Sequence, residues 1–573
     1  MRKMKAYQLR LAKYFKNDSI RCIMAFAFIS IASLSLIWRA SRGFDWSDDS
    51  YASAIVYRII QGDSLFSEIW DIHQFSAVIL VPIYWIYIKI AGTTGIILFS
   101  RYLMTLILCA EAFGIYLRAR NNYGHLWSAL AAILLLSFGS NFGLTYNTIM
   151  VLSFILAFLL IPKAADNPKG YVRYMLSGFV SAIAVQAYPS TIIVLIVFFL
   201  YIAKTEKTNR KRALIWYCCG CMITLLLFIA FLSVNSSLGA FFQNVHYLLI
   251  DPEHVSNRFS IVNSVYSIAV MIGVPGILIF AAMVASTISR FSKDSKKKLF
   301  GNIALISLLA YIVFDGIWMA RGFRGSIKYH LYFSIALAFP VIWLVIGTNW
   351  DNLIFLWLGG AVASVAVDIS TNNGAPFIVY PSLFSAIATL LYIGKTQQHV
   401  WRGKHQTKKP QYISSVVLSI MVVFVFVSGL YYVYRDGDLE SLDTKMQSGP
   451  GAGIYTTSIR AEQYKQTIEA INEYMPERGN VLYTKLLPFG YLCSEARPAT
   501  PRLWRTDLEY EMFDEYYSNN PQKTPSAIYI VNEAFGITNS DNTIGDFMKR
   551  YIDNKPHETI ELPCATIIVF GES

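Results

Sequence analysis

The chain has 573 residues, of which 55% are hydrophobic and 15% are charged, and its mean hydropathy is +0.43. This composition excludes an ordinary soluble domain and indicates a polytopic membrane protein. The formal net charge of +12 does not indicate nucleic-acid binding. Most Lys and Arg residues lie in short runs between apolar segments, where the positive-inside rule places them.

Apolar segments of membrane-spanning length define the predicted topology. The first, 20–38, follows a basic segment, 1–19, and no small-residue cleavage site comes after it, so we expect an uncleaved N-terminus that faces the cytoplasm. We expect a multi-pass protein, in a bacterial plasma membrane, with about thirteen spans. The further predicted spans are 95–117, 126–139, 146–161, 171–187, 189–203, 213–234, 261–289, 299–319, 329–346, 353–367, 376–393 and 412–434.

The apolar segment 75–91 is short, and its treatment decides the topology. If it does not cross the bilayer, the basic runs between the later spans all fall on the cytoplasmic side; if it crosses, they all face outward. The positive-inside rule therefore predicts a re-entrant or membrane-lying helix. The transmembrane domain is then 20–434, and the first external loop is 40–94.

A composition change after residue 434 marks a second domain, 435–573, which the same parity places outside the cytoplasm. Helical periodicity at 459–475 and β-rich runs at 481–484, 527–531 and 566–570 predict a small soluble α/β domain. Cys493 and Cys564 lie in this domain, and the sequence leaves open whether they form a disulfide.

Acidic residues cluster in the first external loop. Asp45, Asp48 and Asp49 lie within five positions, and Asp71 and His73 follow. Such closely spaced carboxylates repel one another and resist burial unless a cation or a proton compensates them. This loop is therefore the best candidate for a chemical site.

A basic turn is predicted on the same membrane face, and it contains Arg321, Arg324, Lys328 and His330. Opposite charges at one face suit a reaction in which a carboxylate activates a hydroxyl while cations hold a phosphate leaving group. A lipid-linked phosphosugar fits that pattern.

The first external loop resembles that of the GT-C superfamily of integral-membrane glycosyltransferases, in the branch of protein O-mannosyltransferases and aminoarabinose transferases. Four features match by order and spacing: Asp48-Asp49 with Tyr51, Gly62-Asp63-Ser64-Leu65, His73-Gln74, and Arg101 near the start of the next span. Two features depart from the pattern: Phe75-Ser76 replaces a Pro pair, and the second external loop has Tyr146-Asn147 where many relatives carry an acid.

The resemblance implies an inverting transfer of a sugar from a polyprenyl phosphate to a hydroxyl outside the cytoplasm. One of Asp48 or Asp49 would be the general base. Lipid, glycan and protein acceptors stay open, and so does a divalent metal as cofactor. The residues expected to orient groups, bind substrate or neutralise phosphate are Asp45, Tyr51, Asp71, His73, Gln74, Arg101, Asn147, Arg321, Arg324, Lys328 and His330.

Other interpretations compete with these assignments. Asp48 and Asp49 could cap the helix that begins near Tyr51, and the cations of the basic turn could be interfacial side chains. A transporter or flippase for lipid-linked saccharides, and a polysaccharide ligase or polymerase, are the alternative functions.

Overall fold

A computed structural model of the chain describes residues 18–139, 143–162, 170–248, 261–322, 327–346, 352–370, 379–402, 408–483, 487–503, 510–532 and 546–571. Most of the chain before residue 432 is helical, and the first loop carries two helices between the first two long ones. The helices up to residue 248 are α1 (Asp18–Ala40), α2 (Asp48–Ile60), α3 (Gln74–Ala91), α4 (Ile96–Tyr123), α5 (His125–Leu136), α6 (Tyr146–Leu160), α7 (Tyr171–Ala187), α8 (Ile193–Thr205), α9 (Arg210–Asn235) and α10 (Leu238–Asn244).

The later helices of the membrane domain are α11 (Ile261–Ile272), α12 (Gly276–Phe291), α13 (Asp294–Gly322), α14 (Ile327–Ile346), α15 (Leu353–Ser370), α16 (Val379–Arg402) and α17 (Lys408–Tyr431). In the described residues, six helices are long and apolar enough to cross a membrane, and six shorter apolar helices accompany them. The predicted class of a helical, multi-pass membrane protein is confirmed.

One predicted span is wrong, because residues 261–289 form two helices, α11 and α12. Gly273 adopts a positive φ of 57°, and Pro275 is the N-cap of the second helix. A left-handed glycine ends a helix readily, and Pro cannot continue the preceding hydrogen-bond ladder. The apolar pattern runs through this break, so hydropathy alone did not separate the two helices.

Helix α3 covers the segment predicted to lie in the membrane. Its length permits crossing, and one of its ends lies near the segment that follows α17. Just beyond its C-terminal end, Gly95 N–H donates to Gly449 O at 2.9 Å. The membrane-lying role of α3 stays a prediction.

Two glycines bring α7 and α9 into close contact. A Cβ atom at Gly178 would lie 1.9 Å from Tyr217 O, and one at Gly220 would lie 1.9 Å from Met175 O. Only glycine allows backbones to approach this closely, which is the usual basis of small-residue helix packing in membranes.

The C-terminal domain is an α/β unit, as predicted. Its five-stranded sheet has the order β4-β3-β5-β7-β6, in which β3 is parallel to β4 and β5, while β7 is antiparallel to β5 and β6. The strands are β3 (Asn480–Tyr483), β4 (Arg497–Pro498), β5 (Ala527–Val531), β6 (His557–Glu561) and β7 (Ala565–Phe570); a small hairpin, β1 (Thr444–Lys445) and β2 (Tyr455–Thr456), precedes them, and the helices are α18 (Ser458–Tyr474), α19 (Tyr510–Asn519) and α20 (Asp546–Asp553). Cys493 and Cys564 are free thiols.

A buried charge cluster joins this domain to the first loop. Asp63 accepts from Arg58 Nε at 2.6 Å and also from Lys523 Nζ, and Lys523 lies 3.6 Å from Glu68. Asp63, Arg58 and Lys523 are almost completely buried. Because two cations meet two acids here, the charges balance, and the domain is fixed against the loop that carries the candidate site.

Candidate active site

The first three acids lie at the N-terminus of α2, where Ser47 is the N-cap and its side chain makes no capping hydrogen bond. The Asp45 carboxylate accepts from Asp48 N–H at 2.5 Å and from Ser47 Oγ at 3.1 Å. Asp45 therefore satisfies one free N–H of the first helical turn from two residues before the N-cap. Asp48 and Asp49 lie in the first turn and are not caps.

Asp49 is paired with Arg101 from α4. Arg101 Nε lies 3.3 Å from Asp49 Oδ1, Nη2 bonds Oδ2, and Nη1 donates to Ala40 O at 3.1 Å. The side chain of Asp49 is 1% exposed and that of Arg101 is 7% exposed. Such a bidentate ion pair fixes both side chains and leaves few of their polar atoms free to bind a substrate.

Asp48 is the most accessible acid of the cluster, with 24% of its side chain exposed. Tyr434 donates its hydroxyl to Asp48 Oδ2 at 2.6 Å, and Arg435 Nη1 lies 3.5 Å from the same oxygen. Sequence reasoning missed both of these partners. The available signal was a Tyr-Arg-Asp run directly after the last span, at the predicted outer face.

Electrostatics set the proton affinity of the acids. Burial raises the pKa of Asp45 to about 7, and the charges of Asp48 and Asp49 add to this effect. Burial also raises the pKa of Asp48, while the charge of Arg435 and the Tyr434 hydrogen bond oppose the shift. Asp45 therefore titrates near neutral pH beside the more exposed Asp48.

Asp71, His73 and Tyr51 form a second polar group. Asp71 accepts from Tyr51 OH and from His73 N–H at 2.9 Å, and its Oδ1 lies 2.7 Å from His73 Nδ1. Burial opposes the charge of Asp71, but His73 and these hydrogen bonds hold its pKa at about 2. A carboxylate at Nδ1 orients an imidazole and leaves its Nε2 edge for another partner.

Tyr146 brings the two groups together. Its ring centroid lies 4.3 Å from that of His73 and 5.6 Å from that of Tyr188. The Asp48 carboxylate also lies within electrostatic range of the Tyr146 hydroxyl. Asn147 is buried, and its Oδ1 has no hydrogen-bond partner in the described residues. The Tyr146 side chain thus lies close to both polar groups, and Asn147 next to it in sequence has a buried acceptor oxygen.

The remaining predicted site residues divide into two groups. Gln74 stabilises the loop, since its Oε1 accepts from Phe66 N–H at 3.0 Å and its Nε2 donates to Ile69 O at 3.2 Å. The second group is the predicted basic turn, which contains Arg321, Arg324, Lys328 and His330. Their side chains lie outside the described part of the structure, so their role in neutralising phosphate stays a prediction.

The described residues form no site for a divalent metal. No group of three or more His, Cys, Asp or Glu among them could hold a metal ion. Asp49 is bonded to Arg101, and one oxygen of Asp48 faces Arg435. A divalent metal as cofactor stays a prediction.

No model of a protein family matches the sequence, and neither does any curated protein sequence. The fold is similar to that of ArnT from Cupriavidus metallidurans bound to undecaprenyl phosphate, at 13% identity and a TM-score of 0.45, over 95% of this chain and 97% of that one. It is also similar to the apo oligosaccharyltransferase of Archaeoglobus fulgidus, at 11% identity and a TM-score of 0.40, over 88% of this chain and 69% of that one.

A third similar structure is the oligosaccharyltransferase AglB of the same archaeon in complex with an inhibitory peptide and a dolichol-phosphate. Its identity is 10% and its TM-score is 0.40, over 96% of this chain and 74% of that one. ArnT and AglB are GT-C superfamily members, the superfamily that the first external loop resembles. At TM-scores below 0.5, these similarities do not by themselves decide the reaction.

Proposed function

We propose that the protein is a membrane glycosyltransferase that moves a sugar from a polyprenyl-phosphate-linked donor to an acceptor hydroxyl outside the cytoplasm, with Asp48 as the general base. One observation carries this proposal: the Asp48 side chain is 24% exposed, whereas those of Asp45 and Asp49 are 6% and 1% exposed. A base must reach the proton that it removes, and Asp48 is the loop acid best able to do so.

The reaction is a single displacement. Asp48 takes the proton of the acceptor hydroxyl as its oxygen attacks the anomeric carbon, and the bond from that carbon to the phosphate oxygen breaks. The phosphate leaves on the polyprenyl chain, and the configuration of the sugar inverts. In this scheme the Nε2 edge of His73, whose Nδ1 faces Asp71, lies against the departing phosphate.

Transfer from a lipid donor tests this proposal. Membranes with the wild-type protein, Asp48→Asn or Asp48→Glu are incubated with sugars on undecaprenyl or dolichol phosphate, the carriers in the ArnT and AglB structures, and with membrane glycan and lipid acceptors. We expect transfer with wild type and a loss of about 10²–10⁴-fold with Asp48→Asn. Arg478→Gln, which alters an exposed ion pair with Glu495, is the matched control and should remain active.

Full activity of Asp48→Asn would overturn the base assignment. If wild type instead moves intact donor lipid across vesicles and transfers no sugar, the protein is a flippase.

Orientation is a separate part of the proposal. In a background without native cysteines, intact cells are treated with a membrane-impermeant thiol reagent. We expect labelling at Glu477→Cys, which is exposed on the C-terminal domain, and none at Asn122→Cys at the end of α4. Labelling at Asn122→Cys would invert the topology.

A further inference from the structure

The segment after the last span enters the candidate site in an unusual conformation. Arg435 has a φ of 52°, in the left-handed region that residues other than glycine rarely adopt. Such a conformation persists only where surrounding contacts determine it, and it is found most often at functional positions. Here it turns the Arg435 side chain toward the acidic loop, nearly four hundred residues away in sequence.

The guanidinium of Arg435 reaches three loop side chains. Its Nη1 donates to Ser47 Oγ at 2.7 Å and lies 3.5 Å from Asp48 Oδ2 and 3.8 Å from Asp45 Oδ1. The Arg435 side chain is 44% exposed, so one side contacts the acids and the other stays accessible to water. Tyr434 lies beside it, with 4.8 Å from the guanidinium carbon to the ring centroid.

The next residue fixes this segment to the loop. Asp436 accepts from Phe44 N–H at 2.7 Å and from Thr456 Oγ1 at 2.6 Å, and Arg460 Nε lies 3.4 Å from it. The Asp436 carboxylate is completely buried. The position of the Arg435 side chain relative to the acids is therefore set by a rigid junction.

We propose that Arg435, with Tyr434, is a positioning residue that completes the acidic site: it neutralises the charge of Asp45 and Asp48, holds the Asp48 carboxylate toward the acceptor, and makes a divalent ion unnecessary. The proposal deepens the proposed function and rests on it. It assigns the junction between the two domains a part in the site, because Tyr434 and Arg435 are the residues on either side of the predicted boundary.

The charges around Asp48 support this role. Asp49 is balanced by Arg101, which leaves Asp45 and Asp48 with Arg435 as their shared cation among the described residues. In the part of the chain that the structure describes, the other titratable groups that face Asp48 are phenols: Tyr434 donates to it, and Tyr146 lies within electrostatic range. Loss of the guanidinium removes the cation that these two acids share there, which favours their protonation.

The first experiment compares Arg435→Gln and Arg435→Lys with wild type in the transfer assay, over pH 5 to 9. We expect the lower-pH midpoint of the rate to rise by about one pH unit in Arg435→Gln, and Arg435→Lys to recover most of the shift. Added guanidinium chloride at millimolar concentration should partly rescue Arg435→Gln at pH 7. Arg478→Gln, which alters an exposed ion pair with Glu495 away from the junction, is the matched control and should keep the wild-type midpoint.

Two further measurements keep the inference separate from the proposed function. Wild type should transfer sugar at the same rate with and without EDTA. Thermal midpoints are also measured without donor for wild type, Arg435→Gln, Asp48→Asn and the double variant. The changes in midpoint caused by the two single substitutions should be non-additive in the double variant, as expected for two charges in contact.

The outcomes distinguish the two proposals. Non-additive midpoints without any sugar transfer by wild type would reject the proposed function and keep the Arg435–Asp48 coupling. Loss of transfer in EDTA with recovery in Mn²⁺ would overturn the inference, and so would an unshifted pH profile in Arg435→Gln or additive thermal midpoints.

Discussion

Arg101 holds Asp49 through two guanidinium nitrogens, with Nε 3.3 Å from Oδ1 and Nη2 bonded to Oδ2. Both side chains are buried near the start of α4. The two adjacent acids, Asp48 and Asp49, thus have different surroundings. Asp48 stays accessible to a substrate, whereas Asp49 holds the loop to the membrane helices.

Asp49→Asn should impair folding more than chemistry. The change leaves the Arg101 guanidinium buried beside a neutral amide, which costs about 3–5 kcal/mol of stability. We expect a lower thermal midpoint and a lower yield of purified protein. The double variant Asp49→Asn/Arg101→Gln should recover part of the loss. A stable but inactive Asp49→Asn protein would instead identify Asp49 as the base.

Asp45→Asn should move the pH–rate profile to lower pH. Asp45 has a pKa raised to about 7 by burial and then by the charge of Asp48, and the same repulsion acts on Asp48 once Asp45 is ionised. The amide of Asn still accepts the hydrogen bond from Asp48 N–H in the first turn of α2. Because the base must be ionised, the rate should reach its plateau at a lower pH than in wild type. An unchanged or higher midpoint would contradict the coupling of the two acids.

The raised pKa of Asp45 also has a consequence for stability. An acid with a higher pKa in the folded state than in the unfolded state contributes less to stability as pH rises. For Asp45 this loss occurs between the unfolded pKa, near 4, and the folded pKa of about 7. Asp45→Asn should therefore gain thermal stability relative to wild type above pH 7. Differential scanning fluorimetry of detergent-purified protein measures this, and a difference that shrinks as pH rises would contradict it.

Asp71→Asn should destabilise the loop above about pH 4. Despite burial, His73 and the hydrogen bonds lower the pKa of Asp71 from 3.8 to about 2. The stabilisation is present above the unfolded pKa and is lost as pH falls through the folded value; a shift of this size corresponds to roughly 2 kcal/mol. The thermal midpoints of variant and wild type should converge toward pH 2. Parallel curves down to pH 2 would refute the ionised pairing with His73.

Asp63→Asn should loosen the C-terminal domain. The change leaves Arg58 and Lys523 buried as two cations with Glu68 as the one acid that balances them among the described residues. Limited proteolysis should cut the linker around residues 432–456 faster than in wild type. Arg478→Gln, at an exposed ion pair of the same domain, is the control and should be cleaved at the wild-type rate.

Gly178→Ala should separate α7 from α9. The added Cβ would lie 1.9 Å from Tyr217 O, which is backbone and cannot move aside. Gly359→Ala in α15 is the matched control, because its Cβ would meet only the Val197 and Val194 methyl groups, at 3.8 and 3.9 Å. We expect a reduced thermal midpoint for the first variant and little change for the second.

Many features of the fold follow from local sequence patterns. Apolar length predicted most helices of the membrane domain, but it merged α11 with α12 and missed α10. Helical periodicity predicted α18, and β-rich runs predicted β3, β5 and β7, each within one residue at both ends. These elements are set by neighbours along the chain, since every backbone polar group in a bilayer must be satisfied within its own helix. Strand β6 was missed because its residues, His-Glu-Thr-Ile-Glu, are mostly exposed and polar and show no buried face.

The sequence alone determined that a polytopic membrane protein carries an acidic loop before its second long helix and a separate α/β domain after its last one. Only the tertiary structure decided how the loop acids differ. Asp49 forms an ion pair with Arg101, 52 positions away in sequence. Asp48 contacts Tyr434 and Arg435, which lie at the far end of the membrane domain. Proton affinity depends on burial and on charges within a few ångströms, and the folded chain, not the order of residues, brings those charges together.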